Sequence, residues 1–191
     1  YRRVVSSVNH WLVGAESTRE MLSNVTDTIA ESDLFGCTFF ALVTDDAPPF
    51  VCTSETDLDD GAVRDFHGPE YLSAVFDKGV LKIEDVTELP FRQHVSDRPS
   101  HPGVGIAVTH DGREYGVLSV HLPSNSSLEA VHFRLLGQLA DNLGLFLHDR
   151  SVEHDYRTFK EIAERISDPI MLQNLEGEFE VVNNALSEYA A

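Results

Sequence analysis

The stretch HPGVGIAVTHDGREYGVLSVHLP (101–123) constrains this chain more than any other. Two apolar runs, GVGIAVTH and EYGVLSVHL, are separated by DGR. Asp-Gly accepts the positive φ angles of a tight turn, so the two runs are predicted to pair as antiparallel strands. A histidine stands near each end, His101 and His121. The pattern fits the floor of a catalytic site, the wall of a sensor pocket or a plain core hairpin, and the other segments must decide between them.

LFGCTFFALVT (34–44) reads as a buried strand and FVCTS (50–54) as its hairpin partner, with DDAPP as the break between them. VLKIEDV (80–86) alternates and predicts a short strand. Before it, GPEYLSAVFDKG (68–79) puts Pro69 at a helix start and Gly79 at its stop. Residues 87–102 hold three prolines and read as a long loop, a common place for lids and binding residues. Near the N-terminus, Val4, Val8, Trp11, Ala15, Thr18, Leu22, Val25 and Ile29 recur at alternating spacings of four and three, a heptad-like seam. Gly14 and a Ser17/Glu20 capping box split it into helices over about 2–14 and 18–31. Such a seam suits packing on the chain's own domain and pairing with a second chain equally well.

Ser126 and Glu129 form another capping box, followed by an apolar helical face of Leu128, Val131, Leu135, Leu139, Leu143 and Phe146. Val152, Tyr156, Phe159, Ala163 and Ile166 continue it. A helix of about 40 residues outgrows one globular domain, so its second half is expected to be a linker or a coiled coil. Asp168-Pro169 ends it. PIMLQNLEGEFEVVNNALSEYAA then reads as strand, turn at Glu176-Gly177, strand and helix start. The expected division is a domain over 1–150, a helical linker over 151–167 and a truncated unit over 168–191.

Composition narrows the function classes. Hydrophobic residues make up 42% of the 191, enough for a real core. The net charge of −18, from 32 acidic and 14 basic residues, disfavours nucleic acid as a partner. The acids are spread along the whole chain, which suits a salt-adapted protein in which salt screens self-repulsion. No apolar run approaches the roughly 20 residues of a membrane span, and no signal peptide is recognisable. The reading is therefore a piece of a longer cytoplasmic protein, with no membrane partner.

Motif chemistry is sparse. Asp57, Asp59 and Asp60 lack the distal Glu of a calcium loop. His94, His101 and His121 would converge only if the 87–102 loop folded over the hairpin, and no HxH or HExxH spacing supports a metal site. There is no GxSxG elbow. Cys37 and Cys52 lie in apolar runs with no CxxC spacing, as buried structural thiols do, although neighbouring strands would let them form a redox pair. No catalytic residue is assigned.

Three blocks together resemble a GAF domain: LSAVFDKGVLKIEDV (72–86), GVGIAVTHDGREYGVLSVHLP (103–123) and LLGQLADNLGLFLHD (135–149). VNHWLVGAESTREMLSNVTDTIAESDLF (8–35) resembles the family's N-terminal helices. The likeness covers roughly 5–150 and is strongest to GAF domains of haloarchaeal sensors and bacterio-opsin-activator-like regulators, where the acidic composition also fits. SDPIMLQNLEGEFEVVNNALSEYA (167–190) resembles the opening of a PAS domain, with Asn183 where that family often has Asn. EHDYRTF (153–159) is similar to a histidine-kinase H-box with His154 as phosphoacceptor, but Phe159 replaces its Pro, and a solvated linker face is the simpler reading. The chain lacks the cyclic-nucleotide signature and the bilin-binding Cys found in some GAF domains.

The resemblance implies an α+β fold: a central antiparallel sheet flanked by helices, with a long C-terminal linker helix. It implies a pocket between the sheet and its covering helix and loop, lined by Phe39, Phe66, His67, Tyr71, Phe76, Phe91, His94, Val104, Ile106, Ser119 and His121. Apolar walls with a few polar tips are what small-ligand sites usually offer. The expected function is a non-catalytic sensor module in a two-component kinase or transcriptional regulator. It would bind a small ligand, its cofactor unknown, or relay a conformational change to adjacent PAS and output domains. Pairing of the N- and C-terminal helices in a homodimer is the expected route. The alternatives are a ligand-free dimerisation spacer and a thiol redox enzyme on the same fold.

Overall fold

The chain reverses direction where Asp-Gly predicts it. Asp111 and Gly112 take φ angles of 48° and 76°, joining β4 (Gly103–His110) to β5 (Arg113–His121). β5 also pairs with β1 (Cys37–Thr44), which pairs with β2 (Ala47–Thr53), while β4 pairs with β3 (Val80–Ile83). The result is a five-stranded antiparallel sheet in the order β2-β1-β5-β4-β3. This computed structural model describes residues 2–32, 34–35, 37–44, 47–53, 68–83, 103–122, 127–168, 170–173, 176–183 and 185. The chain forms two compact units, Tyr1–Leu147 and His148–Ala191.

In the first unit, strand alternation sends side chains to two cores. Phe40, Val104, Ile106, Val108, Leu118 and Val120 meet the helices α1 (Arg2–Gly14), α2 (Thr18–Ala30) and the first half of α4 (Ala130–Arg165). Ala41, Val117 and Ile83 meet α3 (Pro69–Lys78) through Tyr71, Leu72 and Val75. A register shift after Val108 lets Tyr115 join the first core.

The N-terminal seam is spent on the chain's own sheet. Val4, Val8, Leu12 and Ala15 of the first helical segment are buried, as are Met21, Leu22, Val25 and Ile29 of α2. Leu12 takes the place predicted for Trp11, because a straight helix repeats every 3.6 residues and not every 3.5. Trp11 sits at the edge of the core and donates its indole N–H to Thr28 Oγ1 at 3.2 Å. Ser17 caps α2 by accepting the Glu20 N–H at 3.2 Å, and the Glu20 carboxylate reaches back to the Glu16 N–H at 3.3 Å.

α4 is a single helix of 36 residues. It begins at Ala130, later than the predicted Ser126 cap, which lies outside the described residues. His132 Nδ1 accepts the Glu129 N–H at 3.0 Å, satisfying one of the donors that a helix start leaves open. Leu135, Leu136, Leu139, Ala140, Leu143 and Leu147 are buried in the first unit. Gly144 explains the close docking: a Cβ there would meet the backbone of Thr109, 3.1 Å from its carbonyl carbon.

In the second unit, the described helix residues are exposed or half-buried except Ala163. Two short strands, β6 (Met171–Gln173) and β7 (Phe179–Val182), form an antiparallel hairpin whose turn has Gly177 at φ 89°. Asn183, buried to 1% exposure, ties this hairpin to the helix end. Its Nδ2 shares two protons among the carbonyls of Ala163, Ile166 and Asp168 at 2.9, 3.1 and 3.0 Å. Its Oδ1 accepts the Ile170 N–H at 3.0 Å, and its own N–H donates to the Ile170 carbonyl at 3.2 Å.

Candidate functional site

Polar groups gather on the sheet face beneath α3. Two cross-strand rows define it. Phe39, Ser119 and Gly105 are partners across β1, β5 and β4, and Cys37, His121 and Gly103 are partners in the next row. Direct partners in antiparallel strands share a face, so the glycines leave room where Ser119 and His121 project.

α3 fills part of that room. Pro69 opens the helix after Gly68, and the Tyr71 N–H bonds the Gly68 carbonyl at 3.0 Å. This sets Tyr71 on the first turn with its ring over β4. A Cβ on Gly105 would lie 3.1 Å from both Tyr71 Cζ and Val75 Cγ2, and closer still to the Tyr71 hydroxyl. That hydroxyl and Ser119 Oγ share a buried hydrogen bond of 2.8 Å, in which either oxygen can donate. Burial pushes the Tyr71 hydroxyl up to about 12, with the Ser119 bond pulling slightly the other way. Tyr71 is therefore neutral near pH 7 and acts there as a hydrogen-bonding group rather than a base.

Beside this pair, the His121 ring meets Phe39 edge to face, with centroids 5.7 Å apart and planes at 89°. His121 is 9% exposed. Gly103 is required next to it, since a Cβ there would come within 2.8 Å of His121 Nδ1. The surface combines a hydroxyl pair, an imidazole and an aromatic edge in an otherwise apolar setting. Those groups suit recognition of a small, partly polar molecule.

The structure brings together Phe39, Tyr71, Ser119 and His121, with Phe76 packed against the same core. It places Val104 and Ile106 on the opposite face, in the core under α1, α2 and α4, which corrects their assignment to the pocket wall. The physical reason is parity: in β4 the odd-numbered Gly103, Gly105 and Ala107 face α3, and the even-numbered residues face away. Phe66, His67, Phe91 and His94 lie outside the described residues, as does His101. Val75, Val117, Ala41 and Gly105 belong to the site and were missed. Alternating glycines in β4 opposite a serine in β5 were the available signal for a crowded, partly polar face.

Backbone register also bears on the cysteines. Cys52 pairs with Phe40, three residues along β1 from Cys37. Their Cα atoms are therefore about 10 Å apart or more, beyond the roughly 7 Å that a disulfide spans. His154 is exposed on α4, next to an i,i+4 ion pair between Glu153 and Arg157 at 3.1 Å. A separate open groove of about 690 Å³ runs between α1 and α4, lined by Val5, Ser6, Val131, Arg134 and neighbouring residues. Asn142 donates to Asn9 Oδ1 at 2.8 Å across the same two helices. Among the described residues no helix is long and apolar enough to cross a membrane.

This architecture is that of a GAF domain. A GAF domain of a phosphoenolpyruvate-protein phosphotransferase from Coxiella burnetii superposes with a TM-score of 0.64 at 13% identity, covering 81% of this chain and 96% of that one. The corresponding Acinetobacter domain gives 0.58 at 16% identity, covering 80% and 94%. The phycocyanobilin-bound GAF domain of a cyanobacterial phytochrome gives 0.61 at 13% identity, covering 80% and 96%. No protein-family model matches the chain, and neither does any curated protein sequence. At these identities the likeness concerns the fold.

Proposed function

We propose that the chain is a sensory signal-transduction module. In this reading a small ligand acts on the sheet face beneath α3, and α4 carries the response away from it. The observation that supports it is the buried Tyr71–Ser119 hydrogen bond, which sets two hydroxyls within an otherwise apolar core, as small-ligand sites do. A ligand hydroxyl or carbonyl can exchange with either partner, moving α3 relative to β5. β5 borders the core against which α4 packs, so such a shift biases the helix between alternative packings.

Residues 168–191 are read as the start of a PAS-like unit and the whole as part of a cytoplasmic haloarchaeal regulator. The charge of −18 supports salt adaptation, and a melting temperature that collapses below molar salt is the expected behaviour. The chain itself is read as non-catalytic. The spacing of Cys37 and Cys52 removes the geometric basis for a thiol redox pair.

A ligand-free spacer is favoured by one feature, the Tyr71 ring seated over Gly105 in the space a ligand would use. Native mass spectrometry of the folded chain against its denatured mass decides between the two. Added mass that disappears in Tyr71→Ala or Ser119→Ala supports the sensor reading. Unliganded mass with every sample, including cell extract incubated before purification, leaves the spacer.

A further inference from the structure

The groove between α1 and α4 lies apart from the face beneath α3, and its chemistry runs against the composition of the chain. Its floor is apolar: Leu135 is buried, and Val5 and Val131 are half-buried beside it. Exposed polar side chains surround that floor, Ser6 and Asn9 from α1, Arg134 and Gln138 from α4. Among the described residues that line it, none is an acid, although Asp and Glu make up 32 of the 191 residues. A cation stands there instead, and among the described residues Arg134 has no carboxylate partner.

Helical spacing makes this a built arrangement. Val131, Arg134, Leu135 and Gln138 follow one face of α4, and Asn142 comes one turn later on the same face. Val5, Ser6 and Asn9 follow one face of α1. The Asn142 amide donates to Asn9 Oδ1 at 2.8 Å, which fixes the two helices against each other at that point. It also engages the accepting end of the Asn9 amide, so the end left for a ligand is the nitrogen, a donor.

A guanidinium and an amide nitrogen can only donate, so the rim selects an acceptor, and its charge selects an anion. Guanidinium meets a carboxylate through two parallel N–H···O bonds. The apolar floor suits a carbon body behind that carboxylate. A volume of about 690 Å³ is in the range of small-ligand sites. A doubly charged phosphate ester would meet one cation in the field of a chain at −18, whereas a monocarboxylate is matched charge for charge. We propose that this groove binds a small organic acid, a monocarboxylate with an apolar body. Its carboxylate pairs with Arg134, and its carbon body covers Val5, Val131 and Leu135. A bound acid touches α1 and α4 together and so holds one helix against the other. The site goes beyond the sensor reading and needs no ligand beneath α3.

Isothermal titration calorimetry of the whole chain tests it, with sodium octanoate and its neutral counterpart octanamide as probes at one fixed salt concentration. Octanoate should bind saturably and octanamide about tenfold more weakly. Arg134→Gln should lose about tenfold in octanoate affinity, and Arg134→Lys, which keeps the charge without the fork, about threefold. Both variants should melt as the wild type does without ligand, because Arg134 is exposed. In NMR spectra octanoate should shift the side-chain amides of Asn9 and Gln138. Ser119→Ala should bind octanoate as the wild type does. No saturable binding, equal binding of octanamide, or indifference to Arg134→Gln overturns the proposal. Binding lost in Ser119→Ala and kept in Arg134→Gln also overturns it, by placing the acid beneath α3. An octanoate affinity that depends on Arg134 stands even where native mass spectrometry finds nothing on the folded chain, so the two readings fail separately.

Discussion

The two faces of the sheet are built from the same strands and differ in what they bury. Under α1, α2 and α4 the core is nearly all aliphatic and aromatic carbon, with Phe40, Leu118, Leu139 and Leu143 almost fully enclosed. Under α3 the strands contribute Gly103, Gly105, Ser119 and His121, and the helix contributes a phenol. Carbon packing is non-directional and tolerates rearrangement only at the cost of cavities. A hydrogen-bonded pair is directional, and removing one buried partner strands the other at a cost of about 1–3 kcal/mol. One face is thus held by carbon packing, and the other adds a directional contact to it.

Leu143→Ala should be the most damaging change, losing about 3–5 kcal/mol in urea unfolding, because the helix cannot collapse into the gap while Gly144 already touches β4. A small loss would break the comparison by showing the helical face to be loosely packed. The second effect is alkaline. Tyr71 holds its proton to about 12 when folded and loses it near 10 when unfolded. Its contribution is complete below pH 10 and is lost as pH rises toward 12, a decline of about 2–3 kcal/mol. Stability measured from pH 9 to 12 should fall less steeply in Tyr71→Phe than in the wild type. At neutral pH, Tyr71→Phe should cost about 1–2 kcal/mol by stranding the Ser119 hydroxyl, and Ser119→Ala in that background should recover part of it. If this change costs as much as Leu143→Ala, the two faces are equally structural.

The smallest effect lies outside both faces. Asp27, on α2, has its carboxyl raised by partial burial and then by Glu31 one turn on. A raised carboxyl stabilises only below its unfolded value and loses that contribution as pH rises, so ionised Asp27 is a slight burden at pH 7. Asp27→Asn should gain a few tenths of a kcal/mol in thermal unfolding, with no change in the behaviour of Tyr71.

Much of the fold was legible in the sequence, because it depends on local signals. Asp111-Gly112 set the hairpin, Pro69 and Gly79 bounded α3, and Ser17 with Glu20 capped α2. The site was less legible. Tyr71, Ser119, Phe39 and His121 share a face, but Val104 and Ile106 looked like pocket walls because apolar residues flank both sides of a buried strand. Only the register with β5 distinguishes them, and register is a property of two segments together. Gly144 gave no pattern at all, since its role depends on the Thr109 backbone arriving from another part of the chain.

The Asn183 anchor has a consequence for how the helix ends. It holds the carbonyls of Ala163, Ile166 and Asp168, acceptors that a helix C-terminus otherwise leaves to water, so one buried amide closes the last turn of α4. The helix end and the hairpin are in this sense the two halves of one clasp, and neither can fray without opening the other.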